Sequence, residues 1–172
     1  MKTIETERCI LRPFTIDDAL ALNAVNRHPE VMRYAGPVEG DVKNTERYLL
    51  NGPLKDYQTF GFGRHACIHK ESGKLIGFSG LKYMQELKDV DIGYRFLPEF
   101  WGKGLATETS LALMAFAKQE LKLTRVVGLA LPDNEASIRV FPKLGMKFER
   151  TVMLEHENCV LWAWNEINTH TS

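Results

Sequence analysis

The sequence lacks the features that would place the protein in a membrane or in an oxidising compartment. No apolar run reaches the roughly 18 residues that a transmembrane helix needs. The N-terminal stretch MKTIETERCIL carries acidic residues where a signal peptide has its apolar core. Only three cysteines occur, Cys9, Cys67 and Cys159, and this odd number at wide spacing is typical of free thiols in a reducing compartment. We therefore expect a cytoplasmic protein.

Neither sign of charge is in excess, because 22 Lys and Arg residues balance 22 Asp and Glu residues. The balance gives no electrostatic reason to expect nucleic acid or a membrane surface as a partner. Internal repeats, low-complexity tracts and Pro/Gly/Ser-rich linkers are also missing, so we place no domain boundary. Hydrophobic residues at 44% and charged residues at 26% are typical of a globular chain. We expect residues 1–172 to form a single domain.

The hydrophobic pattern predicts a mixed α/β fold. Strands are predicted over residues 7–14, on both sides of the turn at 71–74, and over 89–97, 124–132, 147–155 and 158–166. Helices are predicted over 15–27, 44–57 with an interruption at Gly52-Pro53, 103–121 and 134–145. The order is βαα-βββ-α-β-α-ββ. A β-α-β unit after a meander predicts a mixed, mostly antiparallel sheet with helices on both faces.

Two glycines precede the helix predicted at 103–121, in the stretch WGKGLAT. Glycines there allow several N–H groups at a helix N-terminus to converge on one point, which favours an anion. Residues 102–107 would supply these donors, and Lys103 would add a charge, so we expect a phosphate or a diphosphate. A tight turn without a ligand is the alternative. The nucleotide-binding patterns GxxxxGK[ST] and GxGxxG are both missing, which argues against a nucleotide hydrolase and against a dinucleotide dehydrogenase.

Two segments, DIGYRFLPEFWGKGLATE and NEASIRVFPKLGMKFE, resemble the GCN5-related N-acetyltransferase (GNAT) superfamily. The stretches ERCILRPFTIDDA, HPEVMRYAGP and KESGKLIGFSGL are similar to its RimJ/RimL branch of ribosomal-protein N-terminal acetyltransferases. The resemblance implies the GNAT fold and direct transfer of an acetyl group from the cosubstrate acetyl-CoA to a primary amine. The acceptor would be a protein N-terminus, another peptide amine or a small molecule. Homodimers are common in the branch, so the resemblance allows one.

The resemblance also implies a coenzyme A site. The extended arm of the cosubstrate would pair with the edge of the strand at 89–97, and the diphosphate would bind the glycine turn. The implied cofactor-binding residues are Arg95, Phe96, Leu97, Trp101, Gly102, Lys103, Gly104, Leu105, Ala106, Thr107, Asn134 and Ser137. Trp101 stands where the superfamily motif usually begins with Arg or Gln. Main-chain donors need no particular side chain, so this departure is compatible with the site.

Two residues are implied as catalytic. Asp91 would accept the proton of the amine, directly or through water; a solvated carboxylate or a cross-strand partner for a Lys or Arg is the alternative. Ser137 would protonate the departing thiolate, and a structural role in the first turn of its helix is the alternative. Many members of the superfamily use a Tyr for this step, but the matching residue here is Phe141, which has no proton to donate. Along the strand that carries Asp91, the alternation of side chains places Tyr94 on the opposite face, which we assign to the core.

The remaining predictions concern the acceptor and metals. Arg33, Tyr34 and Glu39 are implied as acceptor contacts, because this region walls the acceptor pocket in the family. His65, Cys67 and His69 alternate and so share one strand face, which we interpret as a half-exposed sheet face and not as a metal site. A non-catalytic acyl-CoA-binding or sensing module is the alternative function, and a structural domain without a ligand is a weaker one.

Overall fold

The computed structural model describes residues 1–38 and 40–167, which form one eight-stranded sheet and six α-helices. The strands are β1 (Ile4–Glu5), β2 (Cys9–Pro13), β3 (Arg64–His69), β4 (Leu75–Met84), β5 (Asp89–Phe96), β6 (Arg125–Ala130), β7 (Lys147–Leu154) and β8 (Glu157–Asn165). The helices are α1 (Ala19–Asn26), α2 (Pro29–Met32), α3 (Val42–Asn51), α4 (Pro53–Phe60), α5 (Leu105–Gln119) and α6 (Glu135–Lys143).

The sheet is mixed and mostly antiparallel, as predicted. Its strand order is β1-β2-β3-β4-β5-β6-β8-β7, and β5 with β6 is the parallel pair among the described strands. Helices cover both faces. Leu105 and Leu113 of α5 pack in one core with Ile76 of β4, while Leu22 of α1 and Leu49 of α3 pack in a second core on the other face. The alternation of side chains along β4 thus supplies both cores.

Short polar signals fix the helix ends on the second face. The Asp18 carboxylate accepts from the Thr15 N–H at 2.8 Å in a capping box, which starts the turn leading into α1. Gly52 ends α3 and Pro53 begins α4, because proline lacks the N–H that a continuous helix needs there. The predicted interruption is therefore confirmed. The prediction missed β1 and α2, which span only two and four residues.

The face of β3 that carries His65 and Cys67 is not half-exposed, which corrects the sequence-based expectation. His65 is 1% exposed and Cys67 is fully buried. Helix α5 covers this face, and the His65 ring meets Phe116 of α5 edge-on with their centroids 6.3 Å apart. No helix within residues 1–38 and 40–167 combines the length and the apolar character that crossing a membrane requires.

The parallel strands β5 and β6 pair at a single register, Asp91 with Val127. Beyond this point they separate toward their C-terminal ends. The edge of β5 that would continue the ladder is thereby opened, and a cleft forms between the two strands. Open α/β sheets bind ligands at such a point, outside the carboxyl ends of the strands.

Candidate active site

The cleft between β5 and β6 has a volume of about 740 Å³. Its walls come from the C-terminal halves of both strands, the glycine turn, helix α6 and the segment around α2. It brings together most of the residues predicted for the site. These are Arg33, Tyr34, Arg95, Phe96, Trp101, Gly102, Gly104, Leu105, Ala106, Thr107, Asn134 and Ser137.

Three predicted residues do not line the cleft. The Leu97 N–H donates to the Ile76 carbonyl at 2.9 Å, so β4 already occupies its donor. The Lys103 ammonium lies over the Phe100 ring, 5.6 Å from its centroid, and does not point into the cleft. Asp91 is outside the lining, and its carboxylate pairs with Arg64. Glu39, the third predicted acceptor contact, is outside the described residues.

The glycine turn has the geometry of an anion site. Gly102 and Gly104 both adopt left-handed backbone conformations, with φ of 71° and 79°, which side-chain-bearing residues avoid. Gly104 is the N-cap of α5 and has no side chain to cap the helix. Throughout the described part of the chain, no protein oxygen accepts from the N–H groups of residues 102–107. Since a helix N-terminus carries a partial positive charge, these open donors attract a phosphate.

A pair of hydroxyl groups spans the cleft. The Tyr94 hydroxyl of β5 donates to Ser137 Oγ of α6 at 3.2 Å. Ser137 is held in turn by the N-cap Asn134, whose Oδ1 accepts from the Ser137 N–H at 3.4 Å. Burial raises the pKa of Tyr94, so the phenol keeps its proton. The sequence prediction missed Tyr94, because the alternation of β5 placed it with the core residues Ile92 and Phe96.

Phe141 of α6 lies at the base of the cleft and closes it tightly. The residue is 3% exposed, and its ring packs on the main chain of Gly128 in β6. A Cβ atom at Gly128 would lie 2.4 Å from the Phe141 ring. Glycine at 128 therefore lets α6, with Asn134 and Ser137, sit close to the sheet. The position where the resemblance implies a Tyr as proton donor thus holds an apolar ring.

Asp91, which the sequence predicts to accept the proton of the amine, is buried in an ion pair with Arg64. Its carboxylate accepts from Arg64 Nη2 at 2.6 Å and from the Leu129 N–H, and the residue is 6% exposed. Burial raises its pKa, and the Arg64 guanidinium opposes that rise. Arg64 itself crosses the face of Gly93, where a Cβ would lie 2.9 Å from Nη2. The carboxylate thus fixes β5 to β3, as the alternative interpretation of a cross-strand partner predicts.

The side of the cleft toward α1 and α2 carries cationic and aromatic groups. Arg95 Nη1 donates to Asn26 Oδ1 at 2.8 Å, and its guanidinium lies 5.0 Å from the Phe78 ring centroid. Arg33 lies 5.2 Å from the ring centroid of Tyr34. Among described residues, the charged side chains of the lining are Arg33, Arg95, Arg139 and Lys143 against Glu30. The excess of positive charge suits an anionic ligand.

An extended cleft that opens from a parallel strand pair and ends at a donor-rich turn defines a class of protein. It can hold a long ligand arm along a strand edge and a diphosphate at the end of that arm. No cluster of three or more His, Cys, Asp or Glu side chains able to hold a metal ion occurs in residues 1–38 and 40–167. The polar groups of the site are main-chain donors, hydroxyls and cationic side chains.

Comparison with known proteins identifies the class. The sequence profile of the acetyltransferase (GNAT) domain matches residues 8–147. The uncharacterized N-acetyltransferase YoaA of Bacillus subtilis is 31% identical over 147 residues, which cover 85% of this chain and 83% of that protein. The spermidine N(1)-acetyltransferase of Escherichia coli K12 is 25% identical over 147 residues, which cover 84% of this chain and 76% of that enzyme.

Solved structures share the fold. RimL, a ribosomal L7/L12 alpha-N-protein acetyltransferase in complex with coenzyme A, has a TM-score of 0.81 at 17% identity, covering 96% of this chain and 98% of RimL. RimL represents the branch that the sequence resembles, and at this identity the likeness is one of fold. Given the profile match and the YoaA relative, the chain belongs to the GNAT acetyltransferase family. It is an N-acetyltransferase, and the predictions of family, fold and enzyme class are confirmed.

Proposed function

We propose that the protein transfers the acetyl group of acetyl-CoA directly to a primary amine within the cleft between β5 and β6. The observation that carries the proposal is the set of open N–H groups at residues 102–107, at the end of a cleft that is wide enough for a long arm. A diphosphate there would receive main-chain hydrogen bonds and the field of the 15-residue helix α5.

The residues present fit coenzyme A. The left-handed glycines at 102 and 104 leave the turn without side chains, and a Cβ at Gly102 would meet no atom within 4 Å. The diverging strand edge of β5 can pair with the amides of an extended arm. Bound acetyl-CoA supplies the activated thioester. We assign the diphosphate to residues 102–107, and the arm to β5 and to Asn134 of α6.

We propose that the chain contributes positioning and proton donation. Holding the amine beside the thioester replaces a bimolecular encounter with a positioned one, which is the main source of acceleration. Attack by the amine would form the bond to the acetyl carbon and break the bond to sulfur, and water would take the proton that the nitrogen loses. Ser137 Oγ would donate a proton to the departing sulfur and regain one from water, and Tyr94 holds Ser137 in place. A thiol with a pKa of roughly 8.5 leaves readily, so a weak hydroxyl donor is sufficient. Asp91 acts as a positioning residue for β5, since Arg64 and Leu129 occupy its carboxylate.

The acceptor is proposed to enter past Arg33 and Tyr34. Both line the cleft, and they directly follow α2 in the chain. The relatives act on different amines: one is named for spermidine and RimL for a ribosomal-protein N-terminus. We propose a peptide or small-molecule primary amine of the same general kind, acetylated in the cytoplasm.

The test is an acetylation screen read by two independent signals. Purified protein and acetyl-CoA are incubated with a panel of peptides, amino acids, polyamines and amino sugars. Mass spectrometry detects an added acetyl group, and a thiol reagent detects free coenzyme A. We expect both signals, in equal amounts, for at least one amine.

Calorimetry with coenzyme A separates catalysis from binding alone. Tight binding of coenzyme A in calorimetry without turnover on any amine would contradict the proposal and favour an acyl-CoA-binding or sensing module, a function that the apolar Phe141 would suit. Absence of binding would contradict the coenzyme A site itself.

A further inference from the structure

The turn that we assign to the diphosphate is held from behind by residues near the N-terminus. The Arg8 guanidinium donates from Nη1 to the Lys103 carbonyl at 2.8 Å, inside the glycine turn. Its Nη2 lies 3.6 Å from where a Cβ of Gly104 would stand. Arg8 thus lies against both Lys103 and Gly104 of the turn, although 95 residues separate it from Lys103.

Arg8 is itself fixed by a carboxylate in the first turn of α5. Glu108 Oε1 accepts from Arg8 Nε at 2.7 Å, and Oε2 accepts from the Arg8 N–H at 2.9 Å and from Thr6 Oγ1 at 2.7 Å. Three donors from a three-residue segment therefore hold one side chain. We call Thr6, Arg8 and Glu108 the Arg8 clamp.

The Arg8 clamp neutralises a negative charge, that of Glu108, which would otherwise repel an anion bound at residues 102–107. A carboxylate in the first turn of a helix is favourable for the helix, but beside an anion site it repels the ligand. Burial opposes ionisation of Glu108, yet the hydrogen bonds from Thr6 and Arg8 outweigh it and lower its pKa, so the group is charged. Arg8 cancels this charge within hydrogen-bonding distance. The N–H groups of residues 102–107 then face the ligand without a neighbouring uncompensated anion.

We propose that Arg8 is a positioning residue for the diphosphate of the cosubstrate. It holds the Lys103 carbonyl away from the ligand, so that the adjoining N–H groups converge, and it neutralises Glu108. This inference rests on the proposed function, because it needs coenzyme A at the turn. The role demands the planar fork of an arginine, which donates to the carboxylate and to the carbonyl at once.

The test compares two ligands that differ in the diphosphate. Coenzyme A carries the arm and the diphosphate, whereas pantetheine carries the arm alone. Dissociation constants are measured for wild type, Arg8→Met, Arg8→Lys and the control Arg150→Met, using calorimetry for coenzyme A and ligand-observed NMR for pantetheine. Arg150 is an exposed arginine of β7, an edge strand remote from the turn.

We expect Arg8→Met to weaken coenzyme A binding about tenfold, in line with the loss of a charge-assisted contact, and to leave pantetheine binding within twofold of wild type. Arg8→Lys keeps a charge but not the fork, so it should recover only part of the affinity. Arg150→Met should bind both ligands as the wild type does. An equal loss for both ligands would show a general loosening of the cleft and overturn the inference.

A double-mutant comparison tests the neutralisation of Glu108. If its charge is the problem that Arg8 solves, then adding Glu108→Gln to Arg8→Met should recover at least threefold of the lost affinity. Failure to recover any would contradict the neutralising role. If the wild-type protein does not bind coenzyme A, the proposed function is wrong. If a folded Arg8→Met or Arg8→Lys protein binds coenzyme A normally, only the proposed role of Arg8 is wrong.

Discussion

The hydroxyls of Tyr94 and Ser137 are the proton-bearing groups that the cleft presents between β5 and α6. Tyr94 donates to Ser137 Oγ, so the Ser137 proton is free to point toward a sulfur atom. Tyr94 acts through Ser137, because its own proton is already donated to Ser137 Oγ. The two residues therefore act in series, and their contributions should not add.

For Ser137→Ala we expect a fall in kcat of about tenfold at saturating acetyl-CoA, below the usual range of general acid catalysis because a thiol is a good leaving group. Tyr94→Phe should lower kcat by less, and the double variant should match Ser137→Ala. Steady-state kinetics with a thiol reagent measures this. Tyr83→Phe on β4 is the control. A double variant whose loss equals the product of the single losses would contradict the serial arrangement.

Asp91→Asn is expected to lower stability and to leave the pH dependence of kcat unchanged. The variant leaves the Arg64 guanidinium buried without its partner carboxylate, which costs about 3 kcal/mol in comparable buried pairs. Urea unfolding measures the cost, and a pH profile of kcat tests the proton-accepting role. Loss of the acidic limb of that profile in a folded variant would restore Asp91 as the base.

These residues show what a strand pattern can and cannot predict. The alternation of β5 correctly separated Asp91 from Tyr94 onto opposite sides of the strand. It could not show that the cleft is lined from both sides of the strand, by Tyr94 and by Arg95, because the cleft arises between β5 and β6 and depends on tertiary pairing. The Arg64 partner of Asp91 was equally invisible, since it lies 27 residues away.

At the scale of elements, helix α6 is positioned by its contact with β6. Gly128 admits the Phe141 ring against the strand, and the same helix carries Asn134 and Ser137. A wider spacing between helix and strand would move both polar residues relative to β5. The close spacing of α6 and β6 therefore depends on the absence of a side chain at Gly128.

Gly128→Ala should therefore damage the site and the fold together. Its Cβ would meet the Phe141 ring at 2.4 Å, and such overpacking typically costs about 1–3 kcal/mol. We expect a lower Tm and weaker coenzyme A binding. Gly40→Ala is the matched control, because a Cβ there meets no atom within 4 Å. Wild-type Tm and affinity in Gly128→Ala would show that α6 shifts without consequence.

The main elements were predictable because each carries a local signal. The α3–α4 break follows from Gly52-Pro53, and the glycine turn follows from two glycines ahead of a helical pattern. Helix α5 begins at Leu105, two residues later than predicted, because Gly104 is left-handed and serves as its N-cap. The short β1 and α2 have no periodicity of their own, and they depend on pairing with β2 and on packing beside α1.

At the scale of the whole molecule, the buried His65 of β3 contacts both the N-terminal segment before β1 and helix α5. His65 Nε2 lies 3.0 Å from the Lys2 carbonyl, and its ring packs on Phe116. Burial lowers the pKa of His65 below its ordinary value of 6.5, and the contact with Lys2 opposes this only in part. The folded protein thus keeps the ring neutral where the unfolded chain binds a proton.

Stability should therefore fall as the pH drops below about 6.5, because the unfolded state then holds more protons than the folded state. The stabilised carboxylates Asp18 and Glu108, whose pKa values are lowered, should add to the loss only at more acidic pH. Urea unfolding between pH 5 and 7 measures the slope. His65→Gln should flatten it, and an unchanged slope in that variant would assign the dependence to other groups.

The hydrophobic pattern predicted the architecture, and the stretches DIGYRFLPEFWGKGLATE and NEASIRVFPKLGMKFE predicted the family. The links between distant segments were not predictable, since Arg8 and Glu108 are 100 residues apart. Those links determine how the turn is held, and they depend on packing of the complete chain.

The central claim is that main-chain N–H groups of residues 102–107 bind a diphosphate, and Gly104→Asp tests it most directly. The variant adds a strained side chain and a negative charge to the turn, whereas Gly40→Asp adds the same group at an open position. In calorimetric titrations with coenzyme A, we expect Gly40→Asp to bind as wild type and Gly104→Asp to lose at least about 100-fold in affinity. Equal affinity in a folded Gly104→Asp protein would contradict the account.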